Sequence, residues 1–187
     1  MVEQDPQLTL AGGTVWLTGL PSAGKTTIAH ALALVVLSRV GVRPYELDGD
    51  DLREGLNSDL GFAESDRTEN VRRLGEVALL LARLGHLSIV SAISPYAESR
   101  RAVRLRHADL GVRFLEVHVA TPLALCEARD PKGLYLRARR GELESFTGIS
   151  APYEVPESPE VSVANEGSPE EAALEVFAAL ESSGLLD

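Results

Sequence analysis

Cysteine occurs once in the 187-residue sequence, at Cys126, and lysine only twice, at Lys25 and Lys132. One cysteine makes no internal disulfide and suggests no zinc site, so a reducing cytoplasm is the expected compartment. Long apolar runs are also missing. The longest uninterrupted one, Ala31 to Leu37, falls far short of the ~20 residues that cross a bilayer, and no membrane role is expected. The first residues, Met-Val-Glu-Gln-Asp-Pro, are acidic and polar where a secretory leader would be basic and then apolar. No basic tract or aromatic-basic platform appears, so nucleic acid is not an expected partner.

Basic residues are absent from the last quarter of the chain. The formal net charge is −10, yet residues 1–140 carry 18 basic and 17 acidic groups, whereas residues 141–187 carry 11 acidic groups and no base. An anionic ligand is therefore compatible with the body of the protein despite its overall charge. The length suits one domain with a single core.

Strand and helix signals alternate. Thr14 to Thr18 is β-rich and stops at Gly19; from Gly24, Ile28, Leu32, Val35 and Val36 recur at helical spacing up to Gly41. A short strand is expected over Pro44 to Leu47, followed by Asp48-Gly49-Asp50. Asp66-x-x-Glu69 reads as a capping box ahead of a helix carrying Val71, Leu74, Ala78 and Leu81. Further strands are expected at His86 to Ile93, Val112 to Ala120 and Val161 to Val163, with helices over Ala97 to Leu110, after Pro122, and after the box Ser168-Pro-Glu-Glu171. This is the pattern of an α/β protein with a parallel sheet covered on both faces, whose ligands bind at the carboxyl ends of the strands. Asp130 to Pro159, long and weakly periodic, reads as a lid or substrate loop.

Gly19-Leu-Pro-Ser-Ala-Gly24-Lys25-Thr26 fits G-x-x-x-x-G-K-[ST] between a strand and a helix. Its backbone N–H groups and the helix start would bind phosphate, Lys25 would reach the β- and γ-phosphates, and the Thr26 hydroxyl would ligate Mg²⁺. Gly19, Leu20, Pro21, Ser22, Ala23, Gly24, Lys25, Thr26 and Thr27 are thus the expected ATP-binding residues. Pro21 removes one of the N–H donors. Leu87 to Ser94 contains no carboxylate, so the acids available for metal or proton work are Asp48, Asp50 and Asp51. A turn followed by a helix cap is the alternative reading of those aspartates. Arg67, near a helix start, predicts a compensating anion, whereas Arg100, Arg101, Arg104 and Arg106 read as a solvated helix face. Lys132 falls in a turn at the start of the lid.

Together these segments resemble the adenylyl-sulfate kinases. The likeness runs from Gly19 to about Pro159 through Leu47-Asp-Gly-Asp-Asp-Leu-Arg53, Gly55-Leu-Asn57, Leu60-Gly-Phe62 and Asp66-Arg-x-Glu-Asn70. It continues through Ile93-Ser-Pro-Tyr96, Arg129-Asp-Pro-Lys-Gly-Leu-Tyr135, Gly141-Glu-Leu143 and Phe146-Thr-Gly-Ile149. Pro21 and Ser22 stand where Ser-Gly is more usual, and Ala97 where a polar or basic residue is common. The resemblance implies a three-layer P-loop kinase fold with a mobile lid, one domain over residues 1–187, an N-terminal extension at 1–12 and a lid at about 130–159. It implies transfer of the ATP γ-phosphoryl group, with Mg²⁺, to the 3′-hydroxyl of adenosine 5′-phosphosulfate, for sulfate assimilation. Asp50, Asp51, Leu52 and Arg53 would line the adenylyl-sulfate pocket, and Phe62 and Phe146 would sandwich its adenine. Arg67, Asn70, Ile93, Ser94 and Ser145 would hold the rest, with Lys132 at the bridging phosphates. Ser94, Asp50 and Lys25 are the expected catalytic residues, with Ser94 preferred as a positioning group over a phosphoserine intermediate. Thr26, Asp48 and Asp50 are the expected metal residues. A homodimer and a sulfate adenylyltransferase partner are expected associations. The competing readings are another small-molecule kinase, a GTPase, disfavoured by the lack of an Asn-Lys-x-Asp motif, and a catalytically idle nucleotide-binding module that partners the adenylyltransferase.

Overall fold

A computed structural model describes residues 10–186; residues 1–9 of the expected extension lie outside the described residues. The chain forms β1 (Gly13–Thr18), α1 (Lys25–Val40), β2 (Tyr45–Asp48), α2 (Gly49–Arg53), α3 (Glu64–Arg83) and β3 (Leu87–Ser91). It continues with α4 (Ala97–Ala108), β4 (Arg113–Val119), α5 (Leu123–Arg129), α6 (Leu134–Arg139), β5 (Val161–Val163) and α7 (Pro169–Ser182). The five strands make one parallel sheet in the order β2-β3-β1-β4-β5.

Period-2 alternation divides the core between the two faces of the sheet. Val15, Leu17 and Ile89 enter a cluster with Ile28, Leu32 and Val36 of α1 and Val176 and Phe177 of α7. Trp16 and Val90 point the other way, against Val71, Leu74 and Ala78 of α3 and Val103 of α4. Helix α1 ends on Gly41, a left-handed residue (φ 77°) whose N–H bonds the Leu37 carbonyl at 3.0 Å. Among the described residues no helix is long and apolar enough to cross a membrane.

Register decides where the loops emerge. Asp48 of β2 lies opposite Ser91 of β3, and Ser91 lies opposite Leu17 of β1. The three strands therefore end on one line, and the segments that follow them share one edge of the sheet, as expected for a parallel α/β sheet.

Several local expectations need correction. The capping box at Asp66 and Glu69 does not form, because α3 begins earlier, with Ala63 at its cap and the Arg67 N–H already bonded to the Ala63 carbonyl. Glu69 instead accepts from Arg72 and Arg73 at 2.7 and 2.8 Å. The strand expected over His86 to Ile93 stops at Ser91, where the chain turns out toward Ser94 (φ 40°). The expected lid is not wholly irregular: α6 lies inside it and buries Tyr135 and Ala138. Arg101 and Arg106 are exposed as expected, but Arg100 is only 3% exposed and Arg104 half-buried. The i, i+3, i+4, i+7 set of Arg100, Val103, Arg104 and His107 is the face that α4 turns to β4, where Glu116 receives both arginines. Ser168, by contrast, caps α7 as expected, its hydroxyl accepting from the Glu171 N–H at 3.2 Å.

Phe177 is buried where α7 meets α1, beneath the Arg39 guanidinium. Phe177→Ala is expected to cost about 3–5 kcal/mol of unfolding free energy, read by urea denaturation at unchanged m-value.

Candidate active site

The segment between β1 and α1 folds back on the helix start, with Ser22 and Gly24 at positive φ (59° and 96°). Gly24 is required twice over, by that conformation and by a neighbour, since a Cβ there would lie 1.9 Å from Asn165 Nδ2. The loop is braced from outside. Tyr135 donates its hydroxyl to the Pro21 carbonyl at 3.0 Å, and Thr121 donates to the Ala23 carbonyl at 2.8 Å.

Lys25, the first residue of α1, is buried and donates from Nζ to the Gly19 and Leu20 carbonyls at 3.0 and 2.7 Å. Burial pulls its pKa down to about 8, against the opposing pull of the Asp50 and Asp48 carboxylates.

Asp48 sits at the end of β2 with both oxygens engaged. Thr26 and Ser91 hydroxyls donate to Oδ2 at 2.6 and 2.9 Å, and the Asp50 N–H donates to Oδ1 at 2.8 Å. Burial acts to raise its pKa, but these hydrogen bonds prevail and hold it below the ordinary carboxylate value. With its proton directed at Asp48, the Thr26 oxygen keeps its lone pairs for a cation. That donor set of one hydroxyl with neighbouring carboxylates fits a hard, oxygen-seeking ion such as Mg²⁺. With three donors on its two oxygens, Asp48 orients Thr26 and brings negative charge to the same spot. Asp50, one residue into α2, is exposed and pairs with Lys132 across the cleft at 2.7 Å. So exposed a pair holds weakly and is open to exchange with a ligand.

These groups form one wall of a cavity of about 930 Å³, at the upper end of the range for small-ligand sites. The opposite wall is built from the α2–α3 connection, the turn after β3 and the lid. Arg53 donates to the Gly61 carbonyl at 3.0 Å, with its guanidinium 4.7 Å from the centre of the Phe62 ring. Arg67 is buried yet bonds only carbonyls here, Phe62 at 3.0 Å and Ser145 at 2.8 Å, so its charge has no carboxylate partner among these contacts. Asn57, fully buried, donates to Asn70 Oδ1 at 3.0 Å. Phe146 packs edge-on against Tyr135 at 5.0 Å. Ser94 is buried, its Oγ accepting from the Trp16 indole at 3.1 Å and lying 3.4 Å from the Ala92 carbonyl.

Of the residues expected from sequence, the cavity gathers Pro21, Ser22, Gly24, Lys25, Thr26 and Thr27 with Asp48, Asp50, Arg53, Phe62, Arg67 and Asn70. Ile93, Ser94, Lys132, Ser145 and Phe146 join them. Gly19, Leu20 and Ala23 shape the loop without lining the cavity. Asp51 is exposed elsewhere and Leu52 packs against the core beside Trp16. Arg129 and Asn165 line the wall beside Gly24, joined by an Arg129 hydrogen bond to the Asn165 carbonyl. Neither carried a role in the sequence reading. Arg129 stands within a motif, but Asn165 follows a short strand with no local signal.

Comparison with known proteins gives a consistent picture. A family model described as adenylylsulphate kinase matches residues 11–164. A bifunctional enzyme CysN/CysC of Mycobacterium tuberculosis is 52% identical over 172 residues, covering 92% of this chain but 28% of its own length. The chain thus spans little more than a quarter of that relative. An adenylyl-sulfate kinase of Saccharomyces cerevisiae is 52% identical over 150 residues, covering 80% of this chain and 74% of that one. The solved structure of the M. tuberculosis APS kinase CysC, in complex with AMPPNP and APS, superposes with a TM-score of 0.88 at 51% identity, covering 92% of this chain and 99% of that one.

Burial of Lys25 sets the sign of a pH effect. Its folded pKa of about 8 lies below the ordinary 10.5, so the burial penalty is fully present below pH 8 and is relieved as pH rises toward 10.5. Lys25→Met is therefore expected to stabilise the ligand-free protein by about 1–3 kcal/mol at neutral pH, to flatten its stability between those two pH values, and to abolish nucleotide binding. Thermal unfolding across pH, with and without an ATP analogue, checks all three.

Proposed function

This chain belongs to the adenylylsulphate kinase family, and on that premise we propose that it moves the γ-phosphoryl group of ATP to the 3′-hydroxyl of adenosine 5′-phosphosulfate, giving 3′-phosphoadenylyl sulfate. The observation that carries this reading is the single cavity with a phosphate loop on one wall and two aromatic rings, Phe62 and Phe146, with Arg67, Asn70 and Ser94 on the other. Two nucleotides set face to face there would place donor phosphate and acceptor hydroxyl between Lys25 and Asp50.

In this reading Lys25 exchanges the Gly19 and Leu20 carbonyls for the β- and γ-phosphates, and the loop amides hold the rest of the chain of phosphates. Mg²⁺ held by Thr26, with Asp48 and Asp50 alongside, would neutralise charge on the transferring group. Asp50 accepts the proton of the 3′-hydroxyl as oxygen attacks phosphorus. Arg67, lacking a carboxylate partner in its contacts, meets the phosphosulfate, and Lys132 leaves Asp50 to follow the phosphates as the lid closes. Ser94 positions substrate: both contacts of its hydroxyl, an indole N–H and a backbone carbonyl, lack the basicity to take its proton. This favours direct in-line transfer.

The associations are proposed on the same basis. A homodimer and contact with a sulfate adenylyltransferase both follow the family resemblance. A reducing cytoplasm suits the one thiol, Cys126, which is buried.

A coupled assay with ATP, Mg²⁺ and adenylyl sulfate should show turnover; binding of both nucleotides without turnover would leave the idle-module reading instead. Asp50→Asn should lower kcat by about 10²–10⁴-fold. Ser94→Ala should retain kcat within about tenfold while raising KM for adenylyl sulfate, and loss of all turnover in that variant would contradict direct transfer.

A further inference from the structure

Arg100 lies outside the cavity, and its place on a helix with three other arginines suggested only a solvated face. It is nonetheless one of the most buried charges in the protein, at 3% exposure. Its guanidinium is spent on three different segments. Nε donates to Glu116 Oε1 in β4 at 2.8 Å, Nη1 to the Ser94 carbonyl at 2.7 Å, and Nη2 to the Glu154 carbonyl at 2.7 Å. The same two loops are joined again nearby: the Glu154 N–H donates to the Pro95 carbonyl at 2.8 Å, and its carboxylate accepts from the Ala97 N–H at 2.6 Å. The chain returning from the lid is pinned a second time at Glu160. There Arg104 and the Glu116 N–H donate to its carboxylate, the latter at 2.7 Å.

Ser94 needs such support. Its φ of 40° is a left-handed conformation that a residue with a Cβ adopts only when its surroundings hold it there. Its Oγ takes the indole proton of Trp16, and its carbonyl takes a charged donor from Arg100. A planar, five-donor guanidinium can serve three acceptors at once, which an ammonium on a flexible stem cannot do in the same geometry. Glu116 compensates the buried charge, and Arg104 completes the pair from the solvent side.

We propose that Arg100 is a positioning residue for adenylyl sulfate: it fixes the strained turn at Ser94 to the chain leaving the lid, so that the substrate-facing turn and the lid keep one relative placement. This rests on the kinase reading above. The phosphate loop is not among the segments that Arg100 binds, so the effect falls on the acceptor nucleotide and spares ATP.

The test uses Arg100→Lys and the double variant Arg100→Met with Glu116→Gln, which removes all three Arg100 hydrogen bonds without stranding a buried carboxylate. Initial rates are measured with each nucleotide varied in turn. The emission of Trp16, the one tryptophan in the sequence, reports on the turn directly through its bond to Ser94. The expected result is a KM for adenylyl sulfate raised roughly ten- to a hundredfold, as for a displaced positioning group. KM for ATP should stay within about twofold, and Trp16 emission should shift to the blue as its acceptor loosens. Unchanged KM for adenylyl sulfate with unchanged emission overturns the proposal, as does a parallel loss in both KM values and kcat. If Arg100→Lys does not fold, the double variant is read by the same criteria. Failure of the unaltered protein to phosphorylate adenylyl sulfate would overturn the kinase reading alone. The emission shift would then decide the role of Arg100, a blue shift supporting it and an unchanged spectrum refuting it.

Discussion

An ammonium ion taken out of water stands at the centre of this molecule, and much of the surrounding structure exists to keep it there. Lys25 has only backbone carbonyls at hydrogen-bond distance, so its charge is poorly compensated until an anion arrives. The chain around it is correspondingly well braced. Gly24 touches Asn165, Tyr135 holds Pro21, and Thr121 holds Ala23. Each brace comes from a different part of the second half of the chain, so the phosphate loop is shaped by tertiary contacts as well as by its own glycines. Pro21 removes an N–H from the loop but leaves a carbonyl, and that carbonyl is what Tyr135 grips.

The second constraint is strand register. With Asp48, Ser91 and Leu17 on one line, the aspartates after β2 and the turn after β3 must arrive beside the phosphate loop. The hydrogen bonds from Thr26 and Ser91 to Asp48 knit these three segments together at the bottom of the cavity. Arg100 and Glu116 do the same for the other wall, from beneath. In the proposed reaction, a donor side built on the loop and an acceptor side built on Ser94, Arg67 and the lid share one hydrogen-bonded floor, while the exposed Asp50–Lys132 pair is the part open to exchange.

What could be read from the sequence follows the range of the interactions involved. The phosphate loop was legible because glycine conformation, strand end and helix start are all local. The sheet and its two faces were legible because alternation of apolar residues records them directly, as with Val15 and Leu17 against Trp16. Arg100 was not legible: its partners Glu116, Ser94 and Glu154 are distant or backbone groups, and a helix carrying four arginines looks like a surface. The box at Asp66 and Glu69 misled because a local signature competed with an earlier helix start and with Arg72 and Arg73 for the same carboxylate. The family resemblance set Asp51 and Leu52 in the pocket with Asp50, whereas in the structure the Leu52 side chain packs on the core and Asp51 faces solvent, because one turn of helix sends neighbouring side chains in different directions. The net charge of −10 proved a poor guide, because among the described acidic residues of the last quarter only Glu144 lines the cavity, whose wall carries Lys25, Arg53, Arg67, Arg129 and Lys132.

In the proposed reaction phosphoryl passes from one nucleotide to the other without stopping on the protein. In that reading donor and acceptor share a cavity lined by Asp50, and the Ser94 hydroxyl is bonded to groups that do not activate it. The stereochemical course at phosphorus tests this most directly. With ATP made chiral at a γ-thiophosphate and adenylyl sulfate as acceptor, a single in-line displacement inverts configuration, and inversion is the predicted result. Retention, the outcome of two successive displacements through a phosphorylated residue, would contradict it.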